Sequence, residues 1–406
     1  MAVSICSFAA LLLFQVPPRA EAEIAAGRFD RAEAVLLQAE QASPKNFDVL
    51  YRLGLVLLKL NKNREAAERL ERTVAVNPNV ANAWLAVAEA RIRNGSLSAA
   101  VDAAGRAAAL GKNDEGLRQA QLAFRVRAMD GYLQRKEPDR AIELGEKADK
   151  APQIHHLLGR AYAMRNDPAK AVSNYQEAIR ADPSQPAYRA ELAQYFLDHR
   201  TPEPAVILLE EAARQFPSDV EILRLKGMAY YARGRSREAL DAFLEVLKRE
   251  ADRLDVWASL DTLIPEAGER LPELRQMLQA FCERHSSAPL GYYLLARVPG
   301  QDSEAVLRKA IAVSAEFWPA YFELHKLLKD RGQPREAVEA LEKVMSLNPG
   351  FAPAHYAASQ LYSALGDHKR AKREREIHHR LLTEQRAAAE KHNAARPRLS
   401  YEVPAR

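Results

Sequence analysis

The sequence contains very few cysteines, which limits the sites that thiols can build. Cys6 and Cys282 are the two cysteines among the 406 residues. Two thiols do not make a disulfide framework, a zinc knuckle or a c-type haem motif. Cys282 follows Leu274, Leu278 and Phe281 at the spacing of an amphipathic helix. We therefore expect Cys282 to be a buried, structural thiol.

Sequence signatures of catalysis are missing too. The 17 glycines form no cluster, so there is no glycine-rich phosphate loop, and no H-E-x-x-H motif occurs. The adjacent histidine pairs His155/His156 and His378/His379 do not chelate one ion, because neighbouring side chains on a helix point about 100° apart. We predict that the protein is not an enzyme and has no cofactor, no metal site and no small-molecule substrate.

The positive charge is confined to one end of the chain. The formal net charge is +5, but the segment from Lys369 to Arg406 contains 11 Lys/Arg and 5 Asp/Glu. That segment alone carries +6, so the remainder carries about −1. A basic surface for an anionic partner is therefore expected at the C-terminal end and not along the body.

No long hydrophobic run is present. The apolar stretch from Phe8 to Phe14 is too short to span a bilayer as a helix. It suits the apolar core of a secretory signal, and Ala20-Glu21-Ala22 offers a cleavage site. No Lys or Arg precedes the stretch, and an apolar helix that caps the fold is the structural alternative. We expect a signal peptide at residues 1–22 and a periplasmic or exported bacterial protein, with a cytoplasmic location as the alternative.

What the sequence does contain is a repeated helical hairpin, clearest in residues 152–253. Ala171 recurs as Ala205 and Ala239, each 34 positions later, and Pro183 recurs as Pro217. Each alanine is preceded by a hydrophobic, small and aromatic set and followed by a bulky and then a small apolar residue. The members of these sets are Leu158, Gly159, Tyr162, Tyr175 and Ala178, then Leu192, Ala193, Phe196, Leu209 and Ala212, then Gly227, Tyr230, Phe243 and Val246.

This pattern resembles the tetratricopeptide repeat (TPR) in its period and its W-L-G-Y-A-F-P order. Small residues such as Gly159 and Ala171 let two antiparallel helices approach closely, and Pro183 stops the second helix. A single hairpin does not bury its apolar faces, but stacked neighbours do. The resemblance implies an all-α TPR solenoid, a right-handed superhelix of about ten to eleven helical hairpins.

The register of the repeats slips twice. Ala32, Ala66 and Ala100 are 34 apart, but the next marker, Ala141, comes 41 positions later, and Ala171 follows after 30. We predict a long first helix over residues 114–133 with a partner over 138–149. At the second slip we predict a helix carrying Trp257, Leu260 and Ile264, a loop over 265–270, a helix over 271–284 and a short pair over 292–297 and 303–313.

These markers predict a division of the chain into seven segments. The segments are the signal peptide at 1–22, a first TPR block at 23–114, an irregular TPR at 115–151, a second block at 152–253, an irregular pair at 254–317, C-terminal TPRs with an extended basic helix at 318–393, and a disordered tail at 394–406.

The resemblance also implies where a partner binds. In TPR proteins the fifth and ninth positions of each repeat point into a concave groove that holds a protein or peptide. The candidate groove residues at these positions are Tyr51, Leu55, Glu89, His156, Arg160, Gln194, Arg224, Met228, Phe322, Lys326, Tyr356 and Gln360. We therefore expect a non-enzymatic scaffold for protein–protein interaction.

An alternative function rests on the basic C-terminal helix. Electrostatic docking there on an anionic membrane or on nucleic acid would be salt-sensitive. The basic residues are not interleaved with aromatic ones, which argues against base stacking. Peripheral membrane contact is therefore the more plausible form of this alternative, and nucleic acid is a disfavoured partner.

Overall fold

The computed structural model describes residues 16–300, 302–395 and 399. In this part of the chain there are 22 α-helices, two short 3₁₀ turns and no strand, which confirms the all-α class. The apolar stretch from Phe8 to Phe14 lies outside the described residues. So does most of the tail predicted for 394–406, although the last helix includes residues 394 and 395.

The helices form two compact units that divide between Ser184 and Gln185. The described residues of unit 1, 16–184, form ten helices, which pair in chain order as five hairpins. They are α1 (Pro18–Ala25), α2 (Phe29–Ala42), α3 (Phe47–Lys59), α4 (Asn63–Val76), α5 (Ala81–Arg93), α6 (Leu97–Leu110), α7 (Glu115–Gln134), α8 (Pro138–Glu146), α9 (Pro152–Met164) and α10 (Pro168–Ala181).

Six hairpins are formed by the part of unit 2 that the structure describes. Its helices are α11 (Pro186–Asp198), α12 (Pro202–Gln215), α13 (Val220–Ala232), α14 (Ser236–Arg249), α15 (Leu254–Ser259), α16 (Leu271–Arg284), α17 (Pro289–Arg297), α18 (Ser303–Val313), α19 (Trp318–Asp330), α20 (Pro334–Leu347), α21 (Ala352–Ala364) and α22 (His368–Ala395). The described total of eleven hairpins lies within the predicted range.

Local sequence signals explain where the helices begin. Eight helices start with proline at their first position, where the missing N–H costs nothing and the fixed φ favours the helix. Others start after a side chain that accepts a hydrogen bond from the first turn. Asn46, Asp114 and Asp219 are examples, with Asn46 Oδ1 accepting from the Val49 N–H at 3.1 Å.

In each of the eleven described hairpins, the turn between the two helices holds a residue with positive φ. Glycine suits this position because it has no Cβ to clash with the following carbonyl. Four of the positions hold other residues. The left-handed residues are Gly27, Asn61, Gly95, Lys136 and Asn166 in unit 1, and Arg200, Gly234, Gly268, Gly300, Gly332 and Gly366 in unit 2.

The marker alanines form the tightest part of each hairpin, as the sequence predicts. Ala66, Ala171 and Ala239 are fully buried. A first-helix glycine lies against the second helix in the same way: a Cβ on Gly159 would stand 2.9 Å from the Tyr175 ring, and one on Gly227 would stand 2.6 Å from the Phe243 ring. The bulky side chain therefore occupies the space that the small residue leaves.

The long helix predicted at the first slip is confirmed as α7, with 20 residues, but its partner α8 ends at Glu146, before the predicted end at Asp149. The helix predicted through Ile264 is wrong. It ends as α15 at Ser259, and Leu260 and Ile264 are buried in turns that follow it. Pro265 excludes an α-helix through Ile264, because the residue before a proline is disfavoured in a helix, although α15 has already ended at Ser259.

Candidate protein-binding surfaces

The first helices of unit 1 build an apolar pocket around the predicted groove residue Leu55. Three of them, α1, α3 and α5, contribute to a cavity of about 290 Å³, together with the start of α2. Three cationic side chains stand at its edge. The lining residues are Ile24, Phe29, Arg52, Leu55, Val56, Leu58, Lys59 and Arg93, and we call this site the unit 1 pocket.

Ion pairs connect successive first helices next to the unit 1 pocket. The Glu89 carboxylate accepts hydrogen bonds from Arg93 and from Arg127, each at 2.6 Å, so α5 is joined to α7. These bonds, the Arg127 bond above all, hold the pKa of Glu89 below its usual value. Arg160 of α9 donates to Asp130 of α7 at 2.9 Å. Glu89 and Arg160 are thus bound to neighbours on α7 and are not brought together.

The two predicted aromatic groove residues of unit 1 are half-buried. The Tyr51 ring stacks on Phe47, with centroids 6.0 Å apart. The His156 ring lies 6.1 Å from the Tyr175 ring, which is the ring that covers Gly159. Both side chains are therefore packed against their own hairpins. Of the three residues Tyr51, Leu55 and His156, only Leu55 lines the cavity.

In unit 2 the predicted residues Arg224 and Met228 lie together on α13. The Arg224 guanidinium donates to Glu221 at 2.5 Å and to the Met228 sulfur at 2.8 Å. Arg253 donates to the same Glu221 at 3.3 Å. The bond from Arg224 is the main reason that the pKa of Glu221 is lowered, and it raises the pKa of Arg224. Gln194 donates to Asp198 within α11 at 2.8 Å.

The last two hairpins of unit 2 present an aromatic surface. The Phe351 ring lies 4.6 Å from Trp318 and 4.9 Å from Phe322, so it joins α19 to the start of α21. The Lys326 ammonium lies 4.8 Å from the centre of the Phe322 ring. Tyr356 is 49% exposed. We call Trp318, Phe322, Phe351 and Tyr356 the aromatic surface; Gln360, one turn beyond Tyr356, is exposed.

Two histidines pack against residues of the aromatic surface. His325 is 5% exposed, its ring lies 4.7 Å from Phe322, and its Nδ1 contacts the Phe322 carbonyl. Burial lowers the pKa of His325 to about 4, so the ring is neutral at pH 7. His378 of α22 bonds the Ala352 carbonyl at 3.0 Å and stacks 5.2 Å from Tyr356. Neither ring points freely into solvent as a candidate base.

Comparison with known families identifies the repeat. A family model described as tetratricopeptide repeat matches residues 23–90 and 328–374, and a second model of the same description matches 156–220 and 191–256. Together these segments take in more than half of the chain. The chain belongs to the tetratricopeptide repeat family. A TPR array is a protein–protein interaction scaffold, and the resemblance in the sequence is confirmed.

Solved structures similar to this TPR protein share little of its sequence. Yeast Tom70 is 13% identical, with 95% of each chain covered and a TM-score of 0.41. The TPR domain of P58(IPK) is 16% identical, with 94% of this chain and 98% of that chain covered and a TM-score of 0.29. MamA from RS-1, as a double mutant, is 21% identical, with 50% and 97% covered and a TM-score of 0.33. A comparison with curated proteins finds no match.

Sequence reasoning missed several residues that contact the predicted groove residues, line the unit 1 pocket or belong to the aromatic surface. Asp130 could have been found from the pattern. The ninth position of a repeat lies 11 residues before the marker alanine, and Asp130 lies 11 residues before Ala141. Arg93 and Arg127 lie at neither the fifth nor the ninth position of a repeat, and only those two positions predict groove residues. Trp318 and Phe351 lie at the starts of first helices, where the repeat pattern assigns no groove position.

Other kinds of site find little support in the described part of this TPR chain. No group of three or more His, Cys, Asp or Glu is placed there to hold a metal ion. None of the helices described has the length and apolarity to cross a bilayer. Cys282 is 6% exposed, as predicted, and burial raises the pKa of its thiol to about 11.

Proposed function

We propose that this protein binds a partner protein through the inner faces of its TPR units, by which we mean the faces that the first helices of the hairpins line. The unit 1 pocket holds the main anchor side chain of that partner. The observation that carries the proposal is the cavity beside Leu55, a predicted groove position. Pockets that fill with one buried anchor side chain dominate the binding energy of many interfaces. We infer a binding protein and not an enzyme.

The chemistry of the pocket indicates the kind of ligand. Its floor is apolar, with Ile24, Phe29 and Leu55, and cations stand at its edge. Arg52 is paired with Glu21 at 3.1 Å, and Lys59 is exposed. A peptide with a leucine or aromatic anchor and an acidic neighbour complements this arrangement.

The aromatic surface of unit 2 is a second contact in this proposal. Exposed tyrosine beside a cation is typical of binding surfaces, because the ring supplies apolar area at a small entropic cost. Tyr356 and Lys326 provide this pair. The surface needs no ordering before a partner arrives, since Phe351 already holds Phe322 and Trp318 in place.

A quantitative binding experiment tests the role of the pocket. Peptides selected from a random library against the full chain would be titrated by calorimetry with the wild type, Leu55→Glu and Leu110→Glu. Leu110 ends the second helix α6 of the same unit and is 43% exposed, so it is the matched control. We expect Leu55→Glu to weaken binding about tenfold or more and Leu110→Glu to leave it unchanged. Equal affinities, or selected peptides without an apolar anchor, would contradict the proposal.

We also propose that the protein is exported, on the strength of the N-terminal sequence. Ala20-Glu21-Ala22 lies within α1, and Ala20 is fully buried. Removal of residues 1–22 would leave three residues of that helix, so cleavage and an intact α1 exclude each other. After cleavage the unit 1 pocket would keep Ile24 and its lining from α2, α3 and α5, and Arg52 would lose its partner Glu21. The mass of the protein isolated from its native host decides between them. A mature chain that begins at Glu23 supports export with cleavage; an intact start is the contrary result.

The exposed charge on α22 favours a second candidate function, docking on an anionic membrane surface. Lys369, Lys372, Arg373 and Arg375 are exposed, whereas Arg370 is held by Asp367. Clustered cations near an anionic bilayer each contribute about 1 kcal/mol at low salt.

A vesicle assay tests this second function. Glutamine at Lys369, Lys372, Arg373 and Arg375 should abolish binding to phosphatidylserine vesicles, and wild-type binding should fall steeply with salt. The control variant carries four glutamines at other exposed basic positions, namely Lys45, Lys112, Lys150 and Arg237. Binding that is lost equally in both variants, or that occurs with single-stranded DNA instead, would contradict membrane docking.

A further inference from the structure

The turn between α11 and α12 differs from the other hairpin turns of unit 2. His199 is 8% exposed and Thr201 is 4% exposed, and Pro202 and Pro204 are buried as well. The corresponding residues 34 positions later are exposed or half-buried, and they are mainly charged. These residues are Arg233, Arg235, Ser236 and Glu238, and the same positions at the α19–α20 turn are Arg331, Gln333, Pro334 and Glu336.

A residue from the far end of the chain contacts this turn. The backbone N–H of Leu399 donates to Thr201 Oγ1 at 3.1 Å, although the two residues are 198 positions apart. Leu399 is half-buried and follows the end of α22 at Ala395 by four residues. The contact joins a residue that follows the last helix of unit 2 to the first hairpin of that unit.

The Thr201 hydroxyl is already oriented to receive such a donor. It donates its own proton to the His199 carbonyl at 3.1 Å, which leaves its lone pairs as acceptors. Thr201 is nearly inaccessible to solvent, and a buried acceptor without a partner costs about 1–3 kcal/mol. The Leu399 amide supplies the missing partner, and the neighbouring prolines offer it no competing N–H.

We propose that the α11–α12 turn is a docking site for a peptide backbone N–H and that Leu399 of this same chain occupies it in cis. The site has an apolar surface and one buried acceptor, so it recognises a backbone N–H flanked by an apolar side chain. His199, Thr201, Pro202 and Pro204, at positions where the two compared turns hold mainly charged or polar residues, provide that surface. Any other occupant of the turn must displace Leu399.

Engineered cross-linking tests the contact. A 3.1 Å bond between the Leu399 nitrogen and Thr201 Oγ1 places the two Cα atoms within roughly 7 Å, close to the range that a disulfide spans. Thr201→Cys and Leu399→Cys would be combined in the full chain with Cys6→Ser; Cys282 is buried. Oxidation followed by non-reducing electrophoresis and peptide mass mapping should show an intramolecular disulfide in most molecules.

The matched control pairs Leu399→Cys with Arg235→Cys, at the corresponding exposed position of the next turn. We expect little cross-linking there. Equal yields from both pairs, no disulfide from the Thr201 pair, or a disulfide that forms only between two chains would overturn docking in cis.

A second measurement does not depend on introduced thiols. Leu399→Pro removes the donated N–H, and Leu399→Val keeps it. In hydrogen exchange of the full chain, the amides of Thr201, Glu203, Ala205 and Val206 should exchange about tenfold faster in Leu399→Pro and at the wild-type rate in Leu399→Val. Exchange that is the same in all three proteins would also overturn the proposal.

Discussion

The Tyr175 ring lies 2.9 Å from the point where a Cβ on Gly159 would stand, so the α9–α10 hairpin has no room for a larger residue at this contact. Gly159→Ala should therefore destabilise unit 1 even though alanine favours a helix. Crowding of a packed contact costs about 1–3 kcal/mol, and the gain in helix propensity is about 1 kcal/mol. We expect a net loss of about 1 kcal/mol in the free energy of unfolding, measured by denaturant titration.

Gly105→Ala is the control for this substitution. Gly105 lies within α6, and its nearest neighbour would be the end of the Gln121 side chain at 3.4 Å, which has room to move. The same substitution should raise stability there by up to about 1 kcal/mol. A stabilising effect at Gly159, equal to that at Gly105, would show that the hairpin contact is looser than described.

Lys136 adopts the left-handed conformation in the α7–α8 turn, with φ of 60°. A residue with a Cβ is disfavoured there by about 1–2 kcal/mol, whereas most turns of this protein hold glycine. Lys136→Gly should consequently raise the free energy of unfolding by about 1 kcal/mol. The opposite effect is expected for Lys59→Gly, at the last position of α3, where glycine only weakens the helix. Thermal unfolding of the two variants would give shifts of opposite sign; shifts of one sign would contradict the assignment.

His325 makes stability depend on pH. Its pKa is about 4 in the folded protein because of burial, against about 6.5 when unfolded, so the unfolded chain binds the proton more tightly. The stability due to the neutral ring is complete above about pH 6.5 and is lost progressively as the pH falls toward 4. Between pH 7.5 and pH 5.0 the loss from this group is about 2 kcal/mol.

The variant His325→Asn should remove this part of the pH dependence. The difference in unfolding free energy between pH 7.5 and pH 5.0 should then be smaller than in the wild type by about 2 kcal/mol. His379→Asn is the control, because His379 is exposed on α22. An unchanged pH dependence in His325→Asn would mean that the buried ring is not the titrating group.

The 34-residue step predicted the hairpins and their tight contacts because one physical constraint repeats. Ala171 and Ala239 must be small wherever two helices touch, and both are fully buried. The same count predicted which side chains lie on the first helices, including Leu55 and Phe322. The count alone did not show that Arg160 pairs with Asp130, because a position in the repeat gives the face on which a side chain lies and not its hydrogen-bond partner.

The remaining differences come from contacts between residues that are distant in the sequence. The apolar spacing of Trp257, Leu260 and Ile264 fits one helix, but only Trp257 lies on α15, and Leu260 and Ile264 are buried equally well in the turns that follow. Nothing in the sequence near Leu399 indicates a contact with Thr201. That contact depends on the position at which α22 ends in the folded unit. Local patterns record the repeat, whereas these features depend on the arrangement of whole helices.

Site-specific photo-cross-linking in the native host tests most directly whether the inner faces bind a protein. A photoreactive amino acid would replace Leu55 or Phe322 on the first helices, and Leu110 or Leu347, which are exposed at the ends of second helices, as controls. We predict discrete higher-mass adducts with the same partner from Leu55 and Phe322 and none from Leu110 and Leu347. Adducts of equal yield from all four positions, or adducts from the second-helix positions alone, would contradict a scaffold that binds through its inner faces.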